Sequence, residues 1–214
     1  RIEWDGARVT AEAGAPLPLL AKEAVQRGLT GLEFAGGIPG TVGGALVMNA
    51  GAHDGCMAYL VRRVWIVDAA GNTAELDASS MEFGYRASRL QREKGWVAVR
   101  TEMELVPGDR EAIQAKMMAY LEKRRRTQPL GTKNAGSIFK NPPGDFAGRL
   151  LEQAGCKGMA EGDAYVSPVH ANFIINRGSA TAADVLRLIE RMRSRVKERF
   201  GIELELEVRM LGFA

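Results

Sequence analysis

The chain is poor in cysteine and histidine. Cys56 and Cys156 stand far apart and form no C-x-x-C pair, so the sequence offers neither a disulfide framework nor a dithiol motif. A reducing cytoplasm is the expected location. His53 and His170 are isolated, and no metal site is expected. No apolar run approaches the ~20 residues of a membrane-spanning helix. No basic-then-apolar opening marks a secretory signal. The chain opens on Arg1 rather than Met, as a fragment or a trimmed chain would. Neither G-x-G-x-x-G after a strand nor G-x-x-x-x-G-K-[ST] occurs, which weakens the Rossmann and P-loop readings. The absence of a Gly-x-Ser-x-Gly elbow leaves a Ser-His-Asp triad without support.

Glycine, by contrast, is plentiful. Six of the sixteen residues from Gly36 to Gly51 are glycine, and most of the others are apolar, unlike a Gly/Ser linker. Glycine permits tight turns, positive φ and close approach to a ligand. Free N–H groups in such a segment can hold an anion. The expectation is a buried loop wrapped around a phosphate-bearing cofactor; the alternative is a glycine-rich turn that only packs two elements. The hydrophobic share of 46% and charged share of 26% suit a soluble globular protein of one large or two small domains. A net charge of +3 is too weak to argue for nucleic acid.

Alternation predicts strands at Ala7–Ala11, Val97–Leu105 and Ile202–Met210; Val61–Val67 and Thr73–Leu76 read as strands joined by an Ala70-Gly71-Asn72 turn, and Asn172–Asn176 as an apolar strand core with polar ends. Helical spacing predicts helices at Pro16–Gln26, Arg110 to about Arg126, Asp145–Ala154 with Phe146 on its apolar face, and Thr181–Phe200. Asp109 is placed to cap the second of these, and Thr181 with Asp184 resembles a capping box. The order is mixed strands and helices, with a break at Pro107-Gly108. An α+β architecture in two parts, 1–107 and 108–214, follows.

Three places could carry chemistry. Arg86, after Gly84-Tyr85, offers a rigid, permanent cation suited to a carboxylate or an enolate, or is simply a surface arginine. Ser137, after Gly136 and before Lys140-Asn141, could move a proton, or could bond its own turn. Glu203, Glu205 and Glu207 share one face of the last predicted strand, and spacing does not choose among them. Lys123-Arg124-Arg125-Arg126 is read as cations at a helix C-terminus facing an anionic substrate rather than as a nucleic-acid patch.

Taken together, certain segments resemble one family. They are Gly37-Ile38-Pro39-Gly40-Thr41-Val42-Gly43-Gly44-Ala45 with Met48-Asn49-Ala50-Gly51, then Gly84-Tyr85-Arg86-x-Ser88 and Gln128-Pro129. Gly136-Ser137-Ile138-Phe139-Lys140-Asn141-Pro142, His170-Ala171-Asn172-Phe173-Ile174-Ile175-Asn176 and Glu207-Val208-Arg209-x-x-Gly212 complete the set. In this order they resemble the UDP-N-acetylenolpyruvoylglucosamine reductases of bacterial peptidoglycan synthesis. The resemblance implies an FAD-binding (PCMH/VAO-like) subdomain followed by a smaller α+β substrate-binding domain. It implies FAD as cofactor and NADPH as co-substrate, used to reduce UDP-N-acetylglucosamine enolpyruvate to UDP-N-acetylmuramate.

Each position takes a role from that resemblance. Ile38, Pro39, Gly40, Thr41, Gly43, Gly44, Ala45, Asn49 and Arg209 would contact FAD. Ser137 would protonate the substrate, with Arg86 and Glu207 stabilising the enolate. Tyr85, Arg126, Lys140 and Asn141 would face the UDP-sugar. A UDP-sugar partner, no nucleic acid, no membrane and a monomeric state are expected. The short interval between Arg86 and Ser137 resembles the branch without an extra tyrosine-bearing loop. Family members begin with a further flavin-binding subdomain, and this chain is expected to start after it. The competing readings are a UDP-sugar-binding fragment without redox activity, another FAD-dependent oxidoreductase of the same fold, and a basic RNA-binding module.

Overall fold

The structure, a computed structural model, describes residues 1–212. It divides into two compact units, Arg1–Arg124 and Arg125–Ala214. In the first, β1 (Ile2–Asp5) and β2 (Arg8–Glu12) form a hairpin around Gly6-Ala7. Gly6, at φ +56°, supplies the left-handed residue that such a tight turn requires. Helix α1 (Leu17–Gln26) starts after Pro16, and Gly28 at φ +67° turns the chain away from its end. There follow β3 (Leu29–Thr30), a 3-10 turn over Glu33–Gly37, helix α2 (Val42–Met48) and the small hairpin β4 (Gly51–Ala52) and β5 (Gly55–Cys56). Strands β6 (Val61–Val67) and β7 (Thr73–Asp77), helix α3 (Arg89–Arg92), strands β8 (Val97–Glu104) and β9 (Val106–Pro107) and helix α4 (Arg110–Thr127) complete the run.

Five strands make an antiparallel sheet in the order β1-β2-β8-β6-β7. Alternation along its central strands sends Val9 and Ala11, Thr101 and Met103, and Val64 and Ile66 to one buried face. Leu17, Leu20, Ala21 and Ala24 of α1 and Leu46 of α2 join them in one core. Each fully buried Val, Leu, Ile or Met side chain there contributes ~1.5–3 kcal/mol.

The division between the units falls in the last turn of α4, between Arg124 and Arg125, and not at Pro107-Gly108, because most of α4 packs on the first unit. Asp109 caps it, accepting from the Ala112 amide at 2.7 Å, and Ile113 is buried. A Cβ on Gly36 would lie 2.8 Å from the Met117 sulfur, and one on Gly37 would lie 3.1 Å from Leu121. These glycines are bare so that the helix can lie close. Lys116 on α4 pairs at 3.3 Å with Glu33, a carboxylate that is only 4% exposed. Glu33 also accepts from the Thr30 hydroxyl at 2.6 Å and from the Gly31 amide at 2.7 Å.

The second unit holds β10 (Asn134–Ser137), α5 (Ala147–Gln153), β11 (Ala160–Glu161), β12 (Ala164–Val166), β13 (Phe173–Asn176) and α6 (Ala182–Phe200). Its four-stranded antiparallel sheet runs β10-β13-β12-β11. Leu150 and Leu151 of α5 share a core with Leu188, Ile189, Met192 and Val196 of α6. The capping box of α6 is formed: the Asp184 amide donates to Thr181 Oγ1 at 3.2 Å, and the Thr181 amide donates to Asp184 Oδ2 at 2.8 Å.

Three expectations are corrected. Phe146 is the N-cap of α5 and is 68% exposed, so it is not part of the helix's apolar face. Residues from Val42 to Met48 are a helix and not a loop, because the Thr41 side chain caps them, accepting from the Gly44 amide at 3.3 Å. Ile202–Met210 is not a regular strand. It makes one bridge, Phe139 with Leu206, and then the Glu207 and Val208 amides both turn to the Ile138 carbonyl, at 2.8 and 3.4 Å. Two residues facing one is a bulge, and it ends the ladder. The alternation still sorts the side chains: Leu204 is buried while Glu203 and Glu205 are exposed.

Burial alone would raise the Glu33 carboxyl, but the Thr30 hydroxyl, the Glu33 and Gly31 amides and Lys116 hold it below its ordinary value near 4.5. The unfolded chain therefore takes up this proton first. The stability tied to it is complete above the ordinary carboxylate pKa and is lost as pH falls through the lowered one. Glu33→Gln should cost ~2 kcal/mol at neutral pH and flatten the acid limb of stability below about pH 4.5, read by denaturant melts across pH.

Candidate active site

The glycine-rich segment sorts into two kinds of position. Gly43 is there for packing: a Cβ would sit 2.8 Å from Ala13 Cβ and 3.2 Å from its carbonyl. A Cβ on Gly51 would likewise lie 2.6 Å from the Gly55 carbonyl. Gly40, at φ +128°, and Gly44 are exposed, and a Cβ on either would meet no atom closer than 3.7 Å. Pro39 and Thr41 are exposed beside them, Ile38 is half-buried, and Ala45 is in the core.

The amides sort in the same way. Those of Val42 and Gly43 donate to the carbonyls of Ala15 and Ala13, at 2.9 and 2.8 Å, and that of Gly44 to Thr41 Oγ1. The first turn of α2 is thus spent on the protein itself, which corrects the expectation of a loop of free N–H groups. Two amides, on Gly40 and Thr41, have no acceptor among the described residues. A flavin nucleotide fits this surface: Gly40 and Thr41 supply donors, and the exposed Pro39 and Gly44 leave the approach open.

Asn49 ends α2 in the left-handed conformation, at φ +41°. Both ends of its amide are engaged: Nδ2 donates to the Gly84 carbonyl at 2.9 Å, and Oδ1 accepts from the Ala58 amide at 2.9 Å. The side chain expected against the flavin is therefore a tie between α2 and the next turn. In that turn, Gly84 and Ala87 exchange backbone bonds at 3.0 and 3.2 Å, with Tyr85 and Arg86 at its tip. Arg86 is half-buried, at φ +53°, with its guanidinium 5.1 Å from the Tyr85 ring centre. A left-handed arginine costs roughly 1–3 kcal/mol and persists only where its surroundings enforce it.

In the second unit, β10 and β13 pair at Asn134 with Ile175 and at Ser137 with Phe173, leaving one extra residue on β10. Gly136, at φ +82°, absorbs it. Bulges of this kind re-aim the next side chain. Ser137 is half-buried, and its hydroxyl makes no hydrogen bond among the described residues. The chain just beyond is clamped by Asn172, which is 3% exposed: its Oδ1 accepts from the Phe139 amide at 2.9 Å and its Nδ2 donates to the Phe139 carbonyl at 2.8 Å. Asn172 is in turn held by His170, whose Nδ1 accepts from the Asn172 amide at 3.2 Å. Burial, with Lys157 nearby, pushes the His170 pKa down and favours the neutral ring that can accept.

The bulged final segment runs beside Ile138, so Ser137 and Glu207 lie on adjoining stretches of backbone. Among the three glutamates, Glu203 pairs with Lys197 at 3.0 Å, Glu205 pairs with Lys140, and Glu207 is half-buried. Lys140 thus comes with a carboxylate partner. Asn141 Oδ1 caps α5 through the Ala147 amide at 3.0 Å. Arg126 and Arg209 are exposed. Arg86, Tyr85, Asn49 and the glycine segment belong to the first unit; Ser137, Lys140, Asn141 and Glu207 belong to the second. Sequence reasoning gave no role to Gln91, Ser88 or Asn172. Ser88 and Asn172 stand inside quoted motifs, and Gln91 lies three residues beyond one.

Comparison with known proteins agrees with this division. Residues 1–77 match the FAD binding domain family, and residues 128–211 match the C-terminal domain of UDP-N-acetylenolpyruvoylglucosamine reductase. The fold is thus an FAD-binding-type α+β part followed by a reductase-type α+β part. A protein of Symbiobacterium thermophilum, UDP-N-acetylenolpyruvoylglucosamine reductase 2, is 53% identical over 212 residues, covering 99% of this chain and 68% of that one. The Heliobacterium modesticaldum reductase is 54% identical over 209 residues, 97% of this chain and 66% of that one. The crystal structure of the Thermus caldophilus reductase superposes with a TM-score of 0.85 at 40% identity, covering 97% of this chain and 73% of that one. The chain belongs to the UDP-N-acetylenolpyruvoylglucosamine reductase family. It spans about two thirds of the length of these two sequence relatives.

The two glycine roles predict opposite outcomes. Gly43→Ala should lower stability by ~1–3 kcal/mol through overpacking on Ala13. Gly44→Ala should leave it unchanged or raise it by up to ~1 kcal/mol, as alanine replaces glycine in an open helical site. Thermal melts of the two variants decide.

Proposed function

We propose that this chain carries out the reaction for which its relatives are named, the reduction of UDP-N-acetylglucosamine enolpyruvate to UDP-N-acetylmuramate, with NADPH as reductant. It would act in the cytoplasm, as a monomer. The reading rests above all on Ser137, a serine whose hydroxyl is unengaged among the described residues, set on a glycine bulge beside the Glu207 segment.

FAD, when bound, supplies the passage of two electrons from NADPH to the enolpyruvyl double bond. Pro39, Gly40, Thr41 and Gly44 bind it directly, with Gly40 and Thr41 donating amides. Ile38, Gly43 and Ala45 shape the backbone that presents them, Asn49 fixes the end of α2, and Arg209 adds a cation. Tyr85, Arg126, Lys140 and Asn141 hold the UDP-sugar. A diphosphate competes with Glu205 for Lys140, since the two already pair.

As the methylene carbon is reduced, negative charge builds on the neighbouring carbon and its carboxylate. Arg86 opposes that charge, and Glu207 completes the surroundings of the enolate. A fixed group aimed at such charge is worth ~3 kcal/mol. Ser137 Oγ then donates the proton to that carbon, and the enolpyruvyl ether becomes the lactyl ether with its C–O bond intact.

Ser137→Ala should leave flavin reduction by NADPH within about twofold of wild type and slow reduction of the sugar nucleotide about a hundredfold or more, measured by stopped-flow absorbance. Glu207→Gln should divide the half-reactions in the same way. Equal loss of both half-reactions would contradict the assignment, and damage from Glu205→Gln in place of Glu207→Gln would move the role to the exposed partner of Lys140.

A further inference from the structure

Gln91, on α3, makes contacts that neither the motif nor the comparisons assign. Its Nε2 donates to the Val47 carbonyl at 2.7 Å and to the Arg86 carbonyl at 3.0 Å. Val47 lies in the last turn of α2, where carbonyls have no intrahelical partner. The same carbonyl accepts from the hydroxyl of Ser88, fully buried, at 2.8 Å. Asn49 grips the other side of the turn at Gly84.

From this geometry we propose that Gln91 is a positioning residue, which holds Arg86 in its left-handed conformation and ties it to the end of α2. Arg86 would leave φ +53° if it were free to, because an L side chain is disfavoured there. Rotation of this residue moves its carbonyl as well as its side chain. A donor on that carbonyl, itself anchored to a rigid helix end, opposes the rotation. Asn49 and Ser88 fix the residues on either side, at Gly84 and Ser88, but Gln91 alone of the three bonds to Arg86 itself. The residue that bears the catalytic cation in the proposed reaction is thereby locked to the helix whose start presents Gly40, Thr41 and Gly44. The functional part of this inference rests on the role proposed for Arg86; the mechanical part does not.

The test uses the FAD-loaded chain and two variants. Gln91→Leu removes the donors and keeps the bulk; Gln91→Lys keeps a donor. In Gln91→Leu the amides of residues 84–88 should exchange hydrogen about tenfold faster, while those of β6 stay at wild-type rates. Reoxidation of reduced flavin by the enolpyruvyl sugar nucleotide should slow about tenfold, with reduction by NADPH unchanged. Gln91→Lys should restore both. Unchanged exchange in Gln91→Leu, faster exchange throughout the unit, or a Gln91→Lys variant that behaves like leucine would each overturn the proposal. Faster local exchange without a change in reoxidation would overturn its catalytic part. If the wild-type chain is not reoxidised by the sugar nucleotide, the proposed function fails, and exchange alone decides the clamp.

Discussion

A helix leaves its last carbonyls without partners inside the helix, and α2 turns that obligation into an anchor. The Val47 carbonyl takes the Ser88 hydroxyl and the Gln91 amide, and the residue that caps the helix, Asn49, reaches the Gly84 carbonyl. Upstream, the same helix lies against β2 and its following turn only because Gly43 presents no side chain to Ala13. One glycine therefore sets the depth of α2, and the end of α2 sets the turn that carries Arg86. The surface at Gly40, Thr41 and Gly44 and the Arg86 turn are two ends of one short, rigid element.

The second unit reaches a similar result by similar means. Ser137 sits where the ladder is irregular, after a glycine at φ +82°. Irregular backbone is free to drift unless something holds it, and Asn172 clasps both backbone groups of Phe139, two residues on. In both units a regular element supplies the frame, an unusual backbone conformation aims the candidate side chain, and a side-chain amide holds that conformation. Arg86 and Ser137 thus bear the same physical signature, although one is a cation and the other a hydroxyl.

Much of the fold was legible in local sequence. Val61–Val67 is a strand with the predicted bounds; Thr181 and Asp184 form the predicted box; Gly28 and Gly201 stop the helices they follow. The final segment was misread because alternation reports which side chains face a core, not whether both backbone edges are paired. Its ladder fails where the Ile138 carbonyl takes two amides, a feature with no residue signature. The glycine segment was half legible. Its density pointed to a special backbone, but which glycine meets a neighbour depends on Ala13, Met117 and Leu121, which no local pattern connects to it. The candidate catalytic positions came from short motifs shared with a family. The amides that position them, Gln91 and Asn172, follow no periodicity, and the left-handed state of Arg86 is one that sequence alone argues against.

The flavin spectrum of the purified chain supplied with FAD is the most direct test of the proposed reaction. The expected result is a bound-flavin band that bleaches on adding NADPH and returns, in the absence of oxygen, on adding UDP-N-acetylglucosamine enolpyruvate. A chain that binds the sugar nucleotide but acquires no flavin band, or a band that bleaches and is not restored by that nucleotide, would contradict it.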